Sequence, residues 1–143
     1  MGISLNQIAD TKLRERLQAA LADQHQPKPV SVPKDEDAFT GLEREMHEQF
    51  EAWIKTHYPA WPYIHSRMDK PSTIRKGFPD FVILLKGRAF WVEFKTASGK
   101  ISEDQAQVIN ELQDTFNQGG VYTSVANAIA AVLDWKREFW PDA

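Results

Sequence analysis

The sequence predicts a mixed α/β domain, a central sheet flanked by helices, preceded by an extra N-terminal helix. Three observations carry this. Residues 77–95 read as two strands joined by a tight turn, with Phe81, Ile83 and Leu85 pointing one way and Val82 and Leu84 the other, the pattern of a sheet covered on both faces. Apolar residues recur at helical spacing before and after that hairpin. At 143 residues with 42% hydrophobic content, the chain is long enough for one domain with its own core.

Taken in order, residues 4–23 form an amphipathic helix. Ser4 is its N-cap, and Leu5, Ile8, Leu13, Leu17 and Leu21 recur near helical spacing. This helix either packs on the domain or pairs with another copy. Pro27, Pro29 and Pro33 make residues 24–39 a linker, whose charged end Lys34-Asp35-Glu36-Asp37 is expected to be mobile. The main domain is expected over residues 40–143. Thr40 opens a helix to His57, with Glu43 completing a capping box and Leu42, Met46, Phe50, Trp53 and Ile54 forming its apolar stripe. Residues 58–62 turn, Trp61 to Arg67 forms the first strand, and a polar loop runs from Met68 to Lys76. After the hairpin and the loop 96–100, a helix spans Ser102 to Gln118, with Ser102 and Gln105 as a second capping box and Ala106, Ile109, Leu112 and Phe116 facing inward. Gly119-Gly120 ends it, residues 121–125 form the last strand, and Asn127 caps a final helix to Phe139. Trp135, Phe139 and Trp140 close the core or form a partner surface, and most of the five tryptophans are expected in the core.

Within the hairpin sit three charges that a buried sheet does not ordinarily carry: Asp80, Glu93 and Lys95. Burying a charge is costly unless it is paired or bound to metal. Glu93 and Lys95 are two apart and share a face. A type II′ turn with Gly87 first pairs Lys86 with Ala89 and sets Asp80 opposite Lys95, so all three charges share one face; an odd-length loop would send Asp80 to the other side. Two carboxylates at a cross-strand diagonal, ~7–8 Å apart at the backbone, can reach one divalent cation, and hard cations favour such oxygen ligands. A lysine beside them can polarise a water or offset developing charge on phosphorus. A plain Asp80–Lys95 ion pair with Glu93 at the rim is the structural alternative, and convergence of all three on an apolar hairpin weighs against it.

The absence of cysteine removes disulfide and thiolate–metal chemistry. The four histidines show no paired metal-binding spacing, so zinc is excluded and His65 reads as structural. No apolar run reaches the ~18–20 residues of a membrane span, and the start of the sequence shows no signal peptide. A cytoplasmic setting is expected. The net charge of −3 argues against nucleic acid, but residues 63–100 carry eight basic and three acidic residues, a local excess of five positive charges. Arg67, Arg75 and Lys76 are the phosphate-contact candidates, and Ser98 and Lys100 are placed along a substrate channel.

Pro79-Asp80, twelve intervening residues, then Glu93-Phe94-Lys95 resembles the PD-(D/E)XK nuclease signature. More narrowly, Lys76-Gly77-Phe78-Pro79-Asp80, Trp91-Val92-Glu93-Phe94-Lys95 and Ile101-Ser102-Glu103-Asp104-Gln105 resemble the VRR-NUC branch of that superfamily, over roughly residues 40–135. The resemblance implies a restriction-endonuclease-like core in the order α-β-β-β-α-β-α. It implies a Mg²⁺- or Mn²⁺-dependent endonuclease hydrolysing DNA phosphodiesters. Asp80, Glu93 and the backbone carbonyl of Phe94 would hold the metal, and Lys95 would orient or deprotonate the attacking water. Glu43 and Gln105 would complete the site. His47 stands where the family pattern has glutamine, so Glu45 and Glu48 are alternatives to Glu43. Small stand-alone members resemble phage and bacterial nucleases acting on branched DNA such as Holliday junctions or flaps. Two symmetric cuts in a four-way junction would call for a homodimer. A restriction-type or end-processing nuclease on linear DNA, and a non-catalytic DNA-binding module, are the alternatives.

Overall fold

The computed structural model describes residues 10–24, 27–66, 74–115 and 118–142. The elements are α1 (Thr11–Gln24), α2 (Glu43–His57), β1 (Tyr63–His65), β2 (Phe81–Leu85), β3 (Arg88–Phe94), α3 (Glu103–Thr115), β4 (Gly119–Tyr122) and α4 (Val125–Phe139). The strands form one sheet in the order β1-β2-β3-β4, antiparallel through β3 and parallel between β3 and β4. It is therefore a mixed sheet in an α/β fold.

Both faces of the sheet are covered, as the two-sided apolar pattern requires. Phe81, Ile83 and Leu85 of β2 and Phe90, Val92 and Phe94 of β3 pack with Met46, Phe50 and Ile54 of α2 and with Ala128, Val132 and Trp135 of α4. On the other face, Val82 and Trp91 pack against Ile109 of α3. Trp61, Trp91 and Trp135 are buried, while Phe139 and Trp140 pack against the first cluster, so the aromatic C-terminus closes the core. Arg88 lies over the Phe139 ring and Lys86 over the Trp140 ring.

The hairpin register differs from expectation. Leu85 pairs with Arg88, so the turn residues are Lys86 and Gly87, with φ of 51° and 74°. Two positive φ values are the type I′ requirement, not type II′. This turn suits the right-handed twist of the strands, and the exposed Lys86 accepts the left-handed conformation. Relative to the expected pairing the strands shift by two residues, an even number, so every side chain keeps its face. Extending the register sets Asp80 opposite Glu93 instead of Lys95.

Several boundaries also differ. Asp10 Oδ1 accepts the Leu13 amide and starts α1 there; Ser4, Leu5 and Ile8 lie outside the described residues. Thr40 caps nothing: α2 begins after an extended Leu42 with no side-chain cap, and Glu43 and Glu45 in its first turn complement the helix dipole. β1 is three residues long, shorter than expected, and Arg67 lies outside the described residues. Ser124, not Asn127, caps α4, its side chain accepting the Asn127 amide. β4 starts at Gly119, earlier than expected, because a Cβ there would overlap the Trp91 carbonyl and ring. Glycine is what lets β4 lie against β3.

The proline-rich segment is an ordered strap rather than a free linker. The Lys28 amide donates to Asn110 Oδ1 at 2.9 Å, and Asn110 Nδ2 donates back to the Lys28 carbonyl at 3.1 Å. Thr123 Oγ1 donates to Asp35 Oδ2 at 2.8 Å, the Phe39 amide to the Thr123 carbonyl, and the Ala97 amide to the Phe39 carbonyl. Prolines forbid helix but leave an extended chain whose remaining backbone groups can bond to the domain.

Candidate metal and active site

Asp80, Glu93 and Lys95 meet at the end of the hairpin far from its turn, on the α3 side of the sheet. They are 5%, 1% and 8% exposed, so the charges that were unexpected in sequence are buried in fact. The Asp80 backbone is fixed by its carbonyl accepting the Ser66 amide, which continues the β1–β2 ladder. Asp80 Oδ2 accepts the Phe94 amide at 2.7 Å, and the Asp80 amide donates to Glu93 Oε2 at 3.2 Å. The two carboxylates thus grip each other's strands. Lys95 Nζ lies 3.7 Å from Glu93 Oε1.

Gln105 both closes a capping box and reaches Glu93. Its Oε1 accepts the Ser102 amide and its own amide donates to Ser102 Oγ, closing the capping box. Its Nε2 donates to Glu93 Oε1 at 2.8 Å. Gly77 permits this approach. It has φ of 89°, and a Cβ there would overlap the Asp104 carbonyl and crowd the Gln105 amide. The α3 N-terminus therefore presses directly on the turn that precedes Asp80.

From the other side comes α2. Among the three candidate glutamates, Glu43 points to the site: its Oε1 is 3.8 Å from His47 Nε2, while Glu45 and Glu48 are exposed and Glu48 pairs with Arg44. His47 Nε2 is 3.1 Å from Asp80 Oδ2, an ion pair by distance. This buried nitrogen completes no hydrogen bond. Behind it, His47 Nδ1 is 3.1 Å from His65 Nε2, His65 Nδ1 is 3.2 Å from Glu51 Oε2, and the Tyr63 hydroxyl donates to the same oxygen at 3.1 Å.

The electrostatics follow from crowding. Burial and the Asp80 charge push the Glu93 carboxyl up to about 8, against the pull of Lys95. Burial works against a charged His47, but the close carboxylates of Asp80 and Glu43 outweigh it and push the imidazole up to about 9. Burial and the neighbouring His47 hold His65 below its ordinary value. Three carboxylates, Glu43, Asp80 and Glu93, crowd the site. Glu43, His47 and Asp80 offer ligand atoms that all lie within 4.8 Å of one another, a set that could hold a metal ion. This donor set fits a divalent cation, which would relieve the carboxylate repulsion.

His65, read as structural, bonds His47 and Glu51 and lies outside the metal-capable group, whereas His47 belongs to it. A search for paired histidines could not find it, because the cluster joins one histidine to carboxylates from two elements. The available signal was Glu43, His47 and Glu51 at successive i, i+4 positions, one face of α2.

The expected phosphate contacts are less concentrated than the charge count implied. Arg75 is held bidentate by Glu111, at 2.7 and 3.2 Å, and Lys76 lies 3.4 Å from Asp104. Lys86 and Arg88 are at the far end of the hairpin, on the C-terminal aromatics. Lys100 lines a groove of ≈ 600 Å³ between the strap and the loop after β3, with Val32, Lys34, Ala97 and Gly99 among its other walls. Ser98 is exposed on the same loop. Gly99 lies so close to the Lys95 side chain that a Cβ there would be 3.2 Å from it, so groove and site share a wall.

Comparison with known proteins adds no relative. No family model, no curated protein and no solved structure matches this chain. Among the described residues, no helix is long and apolar enough to cross a membrane.

Proposed function

We propose that the chain is a metal-dependent endonuclease of the VRR-NUC type, with a restriction-endonuclease-like core, hydrolysing DNA phosphodiester bonds. The observation that carries this reading is the burial of Asp80, Glu93 and Lys95 on one face of one hairpin, with Gln105 donating to Glu93. A domain that only bound DNA would gain nothing from burying two mutually repelling carboxylates, and active sites are where such arrangements concentrate.

Asp80, Glu93 and the Phe94 carbonyl would hold Mg²⁺ or Mn²⁺, which would supply Lewis-acid polarisation of the phosphate and a water acidic enough to attack at neutral pH. The chain's own groups do the rest. The Phe94 amide and Gln105 Nε2 orient the two carboxylates, so no reorganisation is needed when substrate arrives. Lys95 Nζ orients the attacking water as a donor and offsets charge that builds on the phosphoryl oxygens. The groove beside Lys95 leads the DNA strand to the site, with Lys34 and Lys100 on its walls as phosphate contacts. Branched DNA is the proposed substrate, and two symmetric cuts in it call for a homodimer.

The test is cleavage of a labelled four-way junction and its matching linear duplex with Mg²⁺, Mn²⁺ or EDTA. Wild type cuts the junction only with metal, and Lys95→Ala lowers the rate by roughly 10²–10³-fold, as for loss of one preorganised charge-stabilising group. Equal cutting of both DNAs keeps the chemistry and sinks the junction preference. Binding without cutting in every metal sinks the enzyme reading.

A further inference from the structure

The hydrogen-bond accounting around His47 determines which of its nitrogens is free. Glu51 Oε2 accepts the Tyr63 hydroxyl and lies 3.2 Å from His65 Nδ1. An ionised carboxylate can only accept, so His65 carries its proton on Nδ1 and presents Nε2 as an acceptor. His47 Nδ1, 3.1 Å from that Nε2, must then be the donor. The relay ends at His47 Nε2, which in the neutral ring is a bare lone pair. It faces Asp80 Oδ2 at 3.1 Å and Glu43 Oε1 at 3.8 Å, and it completes no hydrogen bond. His47 is 8% exposed, so water does not solvate the contact freely.

Three electron-rich atoms therefore converge, and in the metal-free protein only a proton on Nε2 can stand between them. A proton on Nε2 satisfies this only in part, because it can point along one direction while the acceptors lie in two. A cation satisfies all three at once. We propose that His47 Nε2 is a nitrogen ligand to a divalent cation shared with Asp80 and Glu43, held in its ligating tautomer by His65 and Glu51, and that it makes the centre prefer Mn²⁺ over Mg²⁺. The inference rests on the metal-dependent reading above and changes its metal centre from an all-oxygen set to a mixed one.

The preference follows from ligand softness. Mg²⁺ takes oxygen ligands in strict octahedral geometry and keeps several waters. Imidazole is a poor ligand for Mg²⁺ and a better one for first-row transition cations, of which Mn²⁺ binds most weakly and stays nearest to Mg²⁺ in its taste for oxygen. The relay behind His47 has the form of outer-shell support for a metal-ligating histidine, whose second nitrogen donates to a fixed acceptor backed by a carboxylate. Glu51 touches no proposed ligand other than through His65, so it acts as a positioning residue.

The test uses the full chain, titrated calorimetrically with Mn²⁺ and separately with Mg²⁺, as wild type, His47→Gln and Glu51→Ala. Wild type binds Mn²⁺ at least about tenfold more tightly than Mg²⁺. His47→Gln loses most of that ratio, and Glu51→Ala weakens Mn²⁺ by roughly 10-fold, the lower end for outer-shell partners. Pulsed EPR of the Mn²⁺-loaded wild type shows an imidazole ¹⁴N coupling that His47→Gln lacks. The wild-type spectrum needs no variant to fold. Bound Mn²⁺ without nitrogen coupling, or an unchanged Mn²⁺/Mg²⁺ ratio in His47→Gln, overturns the assignment. Nitrogen coupling in a protein that cuts no DNA supports His47 and sinks the nuclease reading. Metal-dependent cleavage without nitrogen coupling does the reverse. No binding of either cation overturns both.

Discussion

At Glu93, burial and the Asp80 charge hold a proton on the carboxyl up to about pH 8, and at His47 the two flanking carboxylates hold one up to about 9. In the unfolded chain the same groups release their protons near their ordinary values of 4.5 and 6.5. The folded protein thus binds more protons than the unfolded one from about 4.5 to 8 through Glu93 and from 6.5 to 9 through His47. Stability falls with rising pH wherever the folded state holds the extra protons. In EDTA, the melting temperature is expected to fall steadily between about pH 5.5 and 8.5, the opposite of a protein held by low-pKa carboxylates. A flat or rising profile in thermal melts would contradict the reading of both groups. The charges themselves were legible in sequence, since Asp80, Glu93 and Lys95 stand out in an apolar hairpin. Their company was not. His47 comes from a helix more than thirty residues upstream, and only packing of α2 on the sheet brings its ring to Asp80.

Elements are tied to the site by two glycines with different duties. Gly77 and Gly87 both have positive φ, but a Cβ on Gly87 meets nothing within 4 Å, whereas one on Gly77 overlaps Asp104. Gly87→Asn is expected to cost under about 1 kcal/mol, because type I′ turns accept asparagine. Gly77→Ala combines a left-handed φ with backbone overlap and is expected to cost about 2–3 kcal/mol in urea unfolding. It should also lower activity more than a surface change of equal stability cost, because it pushes Gln105 away from Glu93. The hairpin shows why sequence fixes faces better than partners. Side chains alternate with a period of two, so a two-residue slip left the face of Asp80 unchanged while altering its partner from Lys95 to Glu93. Turn type depends on two φ values, and Lys86 gives no sequence sign that it adopts a positive one.

Across the molecule, the strap from Lys28 to Phe39 is tied to α3, to Thr123 just after β4 and to the loop beside Lys95. Asn110 holds it by a reciprocal pair of bonds to the Lys28 backbone. Asn110→Ala is expected to cost about 1–2 kcal/mol, the range for two partly exposed hydrogen bonds. Hydrogen exchange should show faster exchange at the Lys28 amide with the β2–β3 core unchanged. Unaltered exchange at Lys28 would mean that the prolines and Phe39 alone fix the strap.

By itself the sequence determined the α/β class, the two-sided sheet, the helical stripes and the common face of Asp80, Glu93 and Lys95. All of these depend on local periodicity, which a chain carries from residue to residue. Tertiary structure alone decided which glutamate of α2 turns inward, that His47, His65 and Glu51 form a relay behind Asp80, that Arg75 is already paired with Glu111, and that the proline-rich segment is docked. Each of these depends on meetings between residues far apart in the chain, set by how helices seat on the sheet, and no spacing within one segment encodes them.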